Sequence, residues 1–409
     1  MRRGITLLAA VVLAAASCTG SGTTRPRFEI AAAEALFDAP LGMKLTGVRP
    51  GERVTVDVST VDGWAGAATF VADRHGTVDP ARTAPVEGDY AGVHETGLVW
   101  SMHSGTGAGY QAAGAMAVAL TATVGGRRVA EARLTRLTVA PGVIGTAVEP
   151  GRDGFAGTMF QPPGSRAPGT AVLAFGGSEG GTAGGIGFAR ALASHGIPAL
   201  GIGYFGAPGL PPTLTRIPLE YFAAALRWLA RQPGVDPHRI VVLGASRGSE
   251  AALLLAVHFP DLVHGVLAAA PSSVVNPALP DATQAAWTLS GTPLSTVDRR
   301  DLGHPDPVNR DAVIPVERIA GPVMLVCGEN DQLWPSCRYT TAIAARRGPS
   351  RATVVVRDPK AGHLIGTLVP DIPTAGVEIN GVPVGGTRED DALARIDAWP
   401  RVLTFLGGT

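Results

Sequence analysis

A serine flanked by small residues is the strongest chemical signal in the chain. Gly244-Ala245-Ser246-Arg247-Gly248 has G-x-S-x-G spacing, with an apolar run at residues 240–243 before it and a helix-like apolar stretch after it. A serine hydroxyl is a weak nucleophile until a base takes its proton. Small neighbours allow the sharp turn that exposes it, and a helix start offers N–H groups to developing negative charge. Four histidines follow Ser246: His258, His264, His304 and His363. His258 falls on the helix after the serine, His264 just ahead of an apolar run, and His304 in a stretch without period. His363 stands in a short loop after the run at residues 352–356 and is the expected base. The acid that orients it is expected after the preceding run, residues 323–327, where Gly328-Glu329-Asn330-Asp331 follows. Asp331 is the first choice, with Glu329 and Asp358 as alternatives. A carbonyl oxygen that gains charge needs two donors. One is expected to be the backbone N–H of Arg247. The other should come from the glycine-rich residues 176–181 (GGSEGG), at Ser178 or Glu179, which the sequence does not separate. A dinucleotide-binding reading of that glycine run fails on its spacing and on the lack of a suitably placed acid.

These residues need a scaffold, and the second half of the chain reads as one. Over residues 142–409, apolar runs at 170–175, 198–204, 240–243, 265–269, 323–327 and 352–356 alternate with helical segments. That grammar predicts a mostly parallel sheet, and the order serine, acid, histidine is that of an α/β-hydrolase fold. Leu219, Phe222, Leu226 and Leu229 mark a helix face that ends before Pro233-Gly234. Residues 271–318 are Pro-rich and aperiodic, either a lid over the site or an irregular surface excursion. Residues 28–141 read differently. Val54, Val56 and Val58 alternate with polar residues, and Met116, Val118, Leu120, Ala122 and Val124 repeat the two-residue period. Gly125-Gly126 then forms a hairpin turn to a partner strand at residues 129–139. An all-β, immunoglobulin-like sandwich is expected there.

The remaining signals concern compartment and partners. Arg2 and Arg3 precede an apolar run over residues 5–16 that ends at Ala15-Ala16-Ser17-Cys18. Such a run is too short to span a bilayer and reads as a signal peptide, residues 1–18, with a lipobox-like end. Cys18 would then be the lipidated first residue of an exported protein, followed by a polar tether at residues 19–27. Export makes a Cys327–Cys337 disulfide reasonable, against two separate thiols. Lys plus Arg and Asp plus Glu are equal at 34 each, which argues against a nucleic-acid partner or an anionic membrane surface, leaving the lipid anchor as the membrane contact. The cysteines and histidines lack metal-ligand spacing, and no cofactor is expected.

Several segments in this order resemble the acyl-CoA thioesterase and bile acid-CoA:amino acid N-acyltransferase family. They are residues 36–40 (LFDAP), 47–51 (GVRPG), 88–93 (GDYAGV) and 97–102 (GLVWSM), then 217–222 (IPLEYF), 331–336 (DQLWPS), 361–365 (AGHLI), 385–387 (GGT) and 397–403 (DAWPRVL). The resemblance implies an acyl-CoA thioesterase activity with Ser246, Asp331 and His363 as its triad. It also implies that the transferases of the family use cysteine, so serine here favours water as the acceptor. CoA esters are made inside cells, which conflicts with an export signal. The competing readings are an exported carboxylesterase, an acyltransferase to an amine, and an adhesion protein with a vestigial hydrolase half.

Overall fold

The computed structural model describes residues 25–104, 114–164, 167–301, 303–374, 376, 378–379 and 381–407. The leader, with Cys18, lies outside the described residues. The first half holds strands β1 (Arg27–Ile30), β2 (Glu34–Leu36), β3 (Met43–Thr46), β4 (Arg53–Thr60), β5 (Ala65–Val71), β6 (Glu87–Gly88), β7 (Ala115–Val124) and β8 (Arg127–Leu137). Six of them form one sheet in the order β2-β8-β7-β4-β5-β6, and β1 pairs with β3 in a second. The alternation in β4 and β7 does what period two requires. Val54, Val56, Val58, Val118 and Leu120 all point into one core, which Met43 and Leu45 of β3 close from the other side. The half is not purely β. A single helical turn, α1 (Gly97–Trp100), is buried on every residue, so it carries no period that a sequence could betray.

The second half continues with β9 (Ile144–Val148), α2 (Pro150–Asp153), β10 (Ala156–Gln161), β11 (Gly169–Phe175), α3 (Ala183–Ser194), β12 (Ala199–Gly203), β13 (Ile217–Pro218), α4 (Leu219–Leu229), β14 (Val235–Ala245) and α5 (Arg247–His258). It ends with β15 (Gly265–Ala269), β16 (Trp287–Leu289), β17 (Thr292–Pro293), β18 (Val323–Gly328), α6 (Ser336–Arg347), β19 (Thr353–Asp358) and α7 (Arg388–Gly407). Eight strands make the central sheet in the order β9-β10-β12-β11-β14-β15-β18-β19. β10 runs antiparallel to both of its neighbours, and every pair from β12 to β19 is parallel. This is the α/β-hydrolase fold. Its middle strands β11, β14, β15 and β18 are buried on both faces and read as continuous apolar runs. β9 is mostly exposed and β10 only partly buried, and neither carries such a run.

Helix α7 joins the halves. Ala392, Leu393 and Ile396 pack into the core of the first half, while Ala394, Ala398, Trp399 and Val402 pack into that of the second. Asp38 fastens the same seam, bonded by His195 and by Trp399 Nε1 at 2.8 Å. Arg136 of β8 is buried and donates to the carbonyls of Phe37 and Ala39, each at 2.6 Å. Residues 271–318 pack beneath α5, with β16 joining β13 and β17 in a small sheet.

Candidate active site

β14 enters the turn that carries Ser246 at the middle of the sheet, and α5 leaves it. Ser246 holds φ +53°, a strained value for a residue with a side chain. Its N–H bonds Ala269 O at 2.9 Å, which ties the turn to β15. The flanking glycines are there for space. A side chain on Gly244 would meet the carbonyl of Gly248, and one on Gly248 would meet that of Gly176.

Ser246 Oγ lies 2.9 Å from Nε2 of His363, and Nδ1 of the same ring lies 2.8 Å from Asp331 Oδ2. An ionised Asp331 accepts the Nδ1–H, which leaves the Nε2 lone pair facing the serine hydroxyl. His363 and Asp331 are both buried at their side chains, 7% and 1% exposed, so water competes little for these bonds. The other sequence candidates fall elsewhere. Glu329 is half exposed and pairs with Arg357, Asp358 accepts from the N–H groups of Lys360 and Ala361, and His304 is exposed. His258 ends α5 and is held below its usual pKa by partial burial, as is His264 ahead of β15.

The loops behind the three side chains are closely tied. Trp334 stands edge-on to the His363 ring at 5.5 Å, and its Nε1 donates to Ala270 O at 3.1 Å. Cys327 and Cys337 form a disulfide, with Cα atoms 5.2 Å apart, that brackets the turn carrying Asp331. Gly385 fits between the loops that carry Asp331 and His363, where a side chain would strike Asn330 O, and Val384 O accepts the N–H of His363 at 2.8 Å. Asp391 of α7 accepts the N–H of Gly362 at 2.8 Å, and burial pushes its carboxyl up to about 7.

Residues 176–181 lie directly over the serine. A Cβ built on Gly177 would come within 2.8 Å of Ser246 Cβ. Tyr204 Oη lies 2.7 Å from the carbonyl of Gly177, to which it donates, and 3.1 Å from that of Gly176, so both carbonyls face Tyr204. The Gly177 N–H is taken by the Glu179 carboxylate, at 2.9 and 3.0 Å to its two oxygens. Glu179 is an exposed residue whose carboxylate lies against Gly184, and burial of that group raises its pKa against the pull of its own N–H and that of Gly177. Ser178, between these two residues, lines the cavity over Ser246. The Arg247 side chain points away, donating to the carbonyls of Asn276 and Pro277 at 2.9 Å each and pairing with buried Glu250. Glu250 also accepts from Trp287 Nε1 and from Asn276, and burial raises its pKa. This buried network, invisible in the sequence, anchors residues 271–318 to α5.

A cavity of about 660 Å³ opens at Ser246 and His363. Phe188, Leu333, Leu364, Val369 and Ile372 give it apolar walls, and Phe37 and Thr138 reach it from the first half. Among the described residues none of 271–318 lines it, whereas Leu364, Gly366, Thr367, Val369, Ile372 and Pro373 do. Among the described residues no group of His, Cys, Asp and Glu could hold a metal ion, and no helix is long and apolar enough to cross a membrane.

Two family models match the chain. That for the acyl-CoA thioester hydrolase/BAAT N-terminal region matches residues 38–150, and that for the BAAT/acyl-CoA thioester hydrolase C terminal matches residues 217–408. Among curated proteins it is similar to acyl-coenzyme A thioesterase 6 of Mus musculus, 28% identical over 91% of this chain and 94% of the relative. The peroxisomal succinyl-coenzyme A thioesterase of Mus musculus is 29% identical over 91% of this chain and 93% of its own length. Acyl-coenzyme A amino acid N-acyltransferase 2 of Mus musculus is 27% identical over 91% and 94% respectively.

Proposed function

Since the chain belongs to the acyl-CoA thioester hydrolase/BAAT family, we propose that it is a serine hydrolase that cleaves acyl thioesters through an acyl-enzyme on Ser246. The observation that carries this reading is the continuous hydrogen-bonded chain from Ser246 Oγ through His363 to Asp331. As Ser246 Oγ attacks the thioester carbonyl carbon, His363 Nε2 takes its proton and Asp331 stabilises the imidazolium. The carbonyl oxygen, now negative, is held by the N–H groups of Arg247 and Ser178. Ser178 is preferred over its neighbours because the N–H groups of Gly177 and Glu179 already serve the Glu179 carboxylate. The intermediate collapses, the thiolate leaves with the proton from His363, and water repeats the sequence to release the acid.

Export of the enzyme, with lipidation at Cys18, is part of the proposal. It rests on the leader-like residues 1–18, and the Cys327–Cys337 bond suits an oxidising compartment. That setting favours a second reading, an exported esterase using the same residues on oxygen esters. The test is hydrolysis of palmitoyl-CoA and p-nitrophenyl palmitate by wild type and Ser246→Ala. Faster cleavage of the CoA ester with a dead variant supports the thioesterase, and cleavage of the oxygen ester alone supports the esterase. Product analysis with an amino acid present reads any transfer to an amine. Full activity in Ser246→Ala would overturn both readings.

A further inference from the structure

Helix α3 contains three glycines, and only two of them have a packing reason. Glycine inside a helix is destabilising relative to alanine, so each asks for an explanation. A Cβ on Gly184 would stand 2.5 Å from Glu179 Oε1. One on Gly185 would stand 2.6 Å from Ile202 O and 2.7 Å from Ala174 O, so the helix could not lie so close on the sheet. Gly187 differs. A Cβ there would meet nothing within 4 Å, and the open space is the active-site cavity, which Gly187 lines.

The cavity follows α3. Ala183, Gly187 and Ala191 all line it, and at 1.5 Å per residue they mark out about 12 Å of its length. At the N-terminal end of the helix lie residues 176–181 and Ser246. At the C-terminal end, Ser194 Oγ accepts the N–H of Ala140 at 2.9 Å, close by Thr138, which lines the cavity together with Phe37. The first half of the chain thus forms the far wall, and the nucleophile stands at the near end.

We propose that Gly187 sets the acyl-chain length this enzyme accepts, by leaving open the middle of a tunnel in which an unbranched aliphatic chain lies along α3. The inference rests on Ser246 being the nucleophile. Its absent side chain is what lets the chain pass from the serine toward Phe37 and Thr138. A bulky side chain at this position divides the tunnel and leaves room for a short acyl group only.

The test compares wild type, Gly187→Ala and Gly187→Leu on p-nitrophenyl esters from butyrate to palmitate. Labelling by fluorophosphonates with short and long alkyl chains is the second readout. Alanine and leucine are better helix formers than glycine, so both variants should fold, and thermal unfolding checks that. Each methylene denied burial should cost about fourfold in kcat/KM, equivalent to about 0.8 kcal/mol. Gly187→Leu is therefore expected to lose long esters by more than 100-fold and to keep butyrate within about threefold, with Gly187→Ala between it and wild type. Equal handling of all chain lengths by wild type and Gly187→Leu would overturn the tunnel, as would a uniform loss on short and long esters by a folded variant. Failure of wild type to label with either probe would overturn the nucleophile assignment, and the tunnel with it.

Discussion

Replacing Cys327 and Cys337 together by alanine removes a covalent tie that closes a loop around the acid. The two cysteines lie ten positions apart, so the bond confines a short loop in the unfolded chain, and the chain-entropy relation assigns about 3 kcal/mol to it at 25 °C. Alanine is the cleaner replacement, because both sites are buried and serine would hide two hydroxyls there. The native state should feel the loss at one place. Asp331 and Trp334, which hold His363 from two sides, both lie inside the bracket. The backbone bonds at the carboxylate itself are long, Asp331 N to Gly328 O and Gln332 N to Val384 O at 3.3 Å each, while Glu329 N to Asp358 O at 2.9 Å and Asn330 N to Ala361 O at 3.0 Å hold only the start of the turn. A shift of about 1 Å in Asp331 would cost on the order of 100-fold in kcat. The assay pairs denaturant unfolding with kcat and KM on a p-nitrophenyl ester. The expected result is a stability loss of about 3 kcal/mol with a fall in kcat and little change in KM. A variant within about 0.5 kcal/mol of wild type, with wild-type kcat, would refute the reasoning.

Two further outcomes follow from the same region. Asp331→Asn should lower kcat by about 10⁴ with KM little changed, because the Nδ1–H loses its ionised acceptor, whereas Glu329→Gln should be nearly silent; the reverse pattern would move the acid to Glu329. Burial pushes Asp371 up to about 6 and Asp391 up to about 7 from a value of 3.8, so the folded protein holds protons there that the unfolded chain has released. Their contribution is therefore full below about pH 4 and is lost as pH rises through 6 and 7. Asp391→Asn should flatten the upper part of that fall in a series of unfolding curves, and an unchanged slope would contradict the assignment.

Ser246, Asp331 and His363 were readable because each follows a strand of the parallel sheet, and strands buried on both faces stand out as apolar runs. The same logic explains what was missed. β9 has four exposed residues of five and leaves no such run. The carboxylates of Glu179, Glu250 and Asp391 look like any solvated acid in a sequence, since only folding turns them toward Gly177, Arg247 and Gly362. Residues 271–318 offered lid and surface excursion equally, because aperiodic Pro-rich chain carries no direction. The buried Arg247 and Glu250 decide for a brace. Between Ser178 and Glu179 the sequence was silent, and the fold of the Glu179 carboxylate back onto the Gly177 N–H was equally beyond it.

Helix α7 follows both halves in the chain, yet each is incomplete without it. Ala392, Leu393 and Ile396 fill a gap among strands far earlier in the chain, whose core residues run from Leu41 to Leu134, and the opposite face fills the layer over the central sheet. Wherever the chain folds, then, β1–β8 precede α7 but keep an open wall until residues 388–407 pack against them. Domain-by-domain folding during synthesis is the usual route for chains of this size. Here the closing step is shared, and a message truncated just before α7 would yield two exposed cores instead of one finished domain and one fragment.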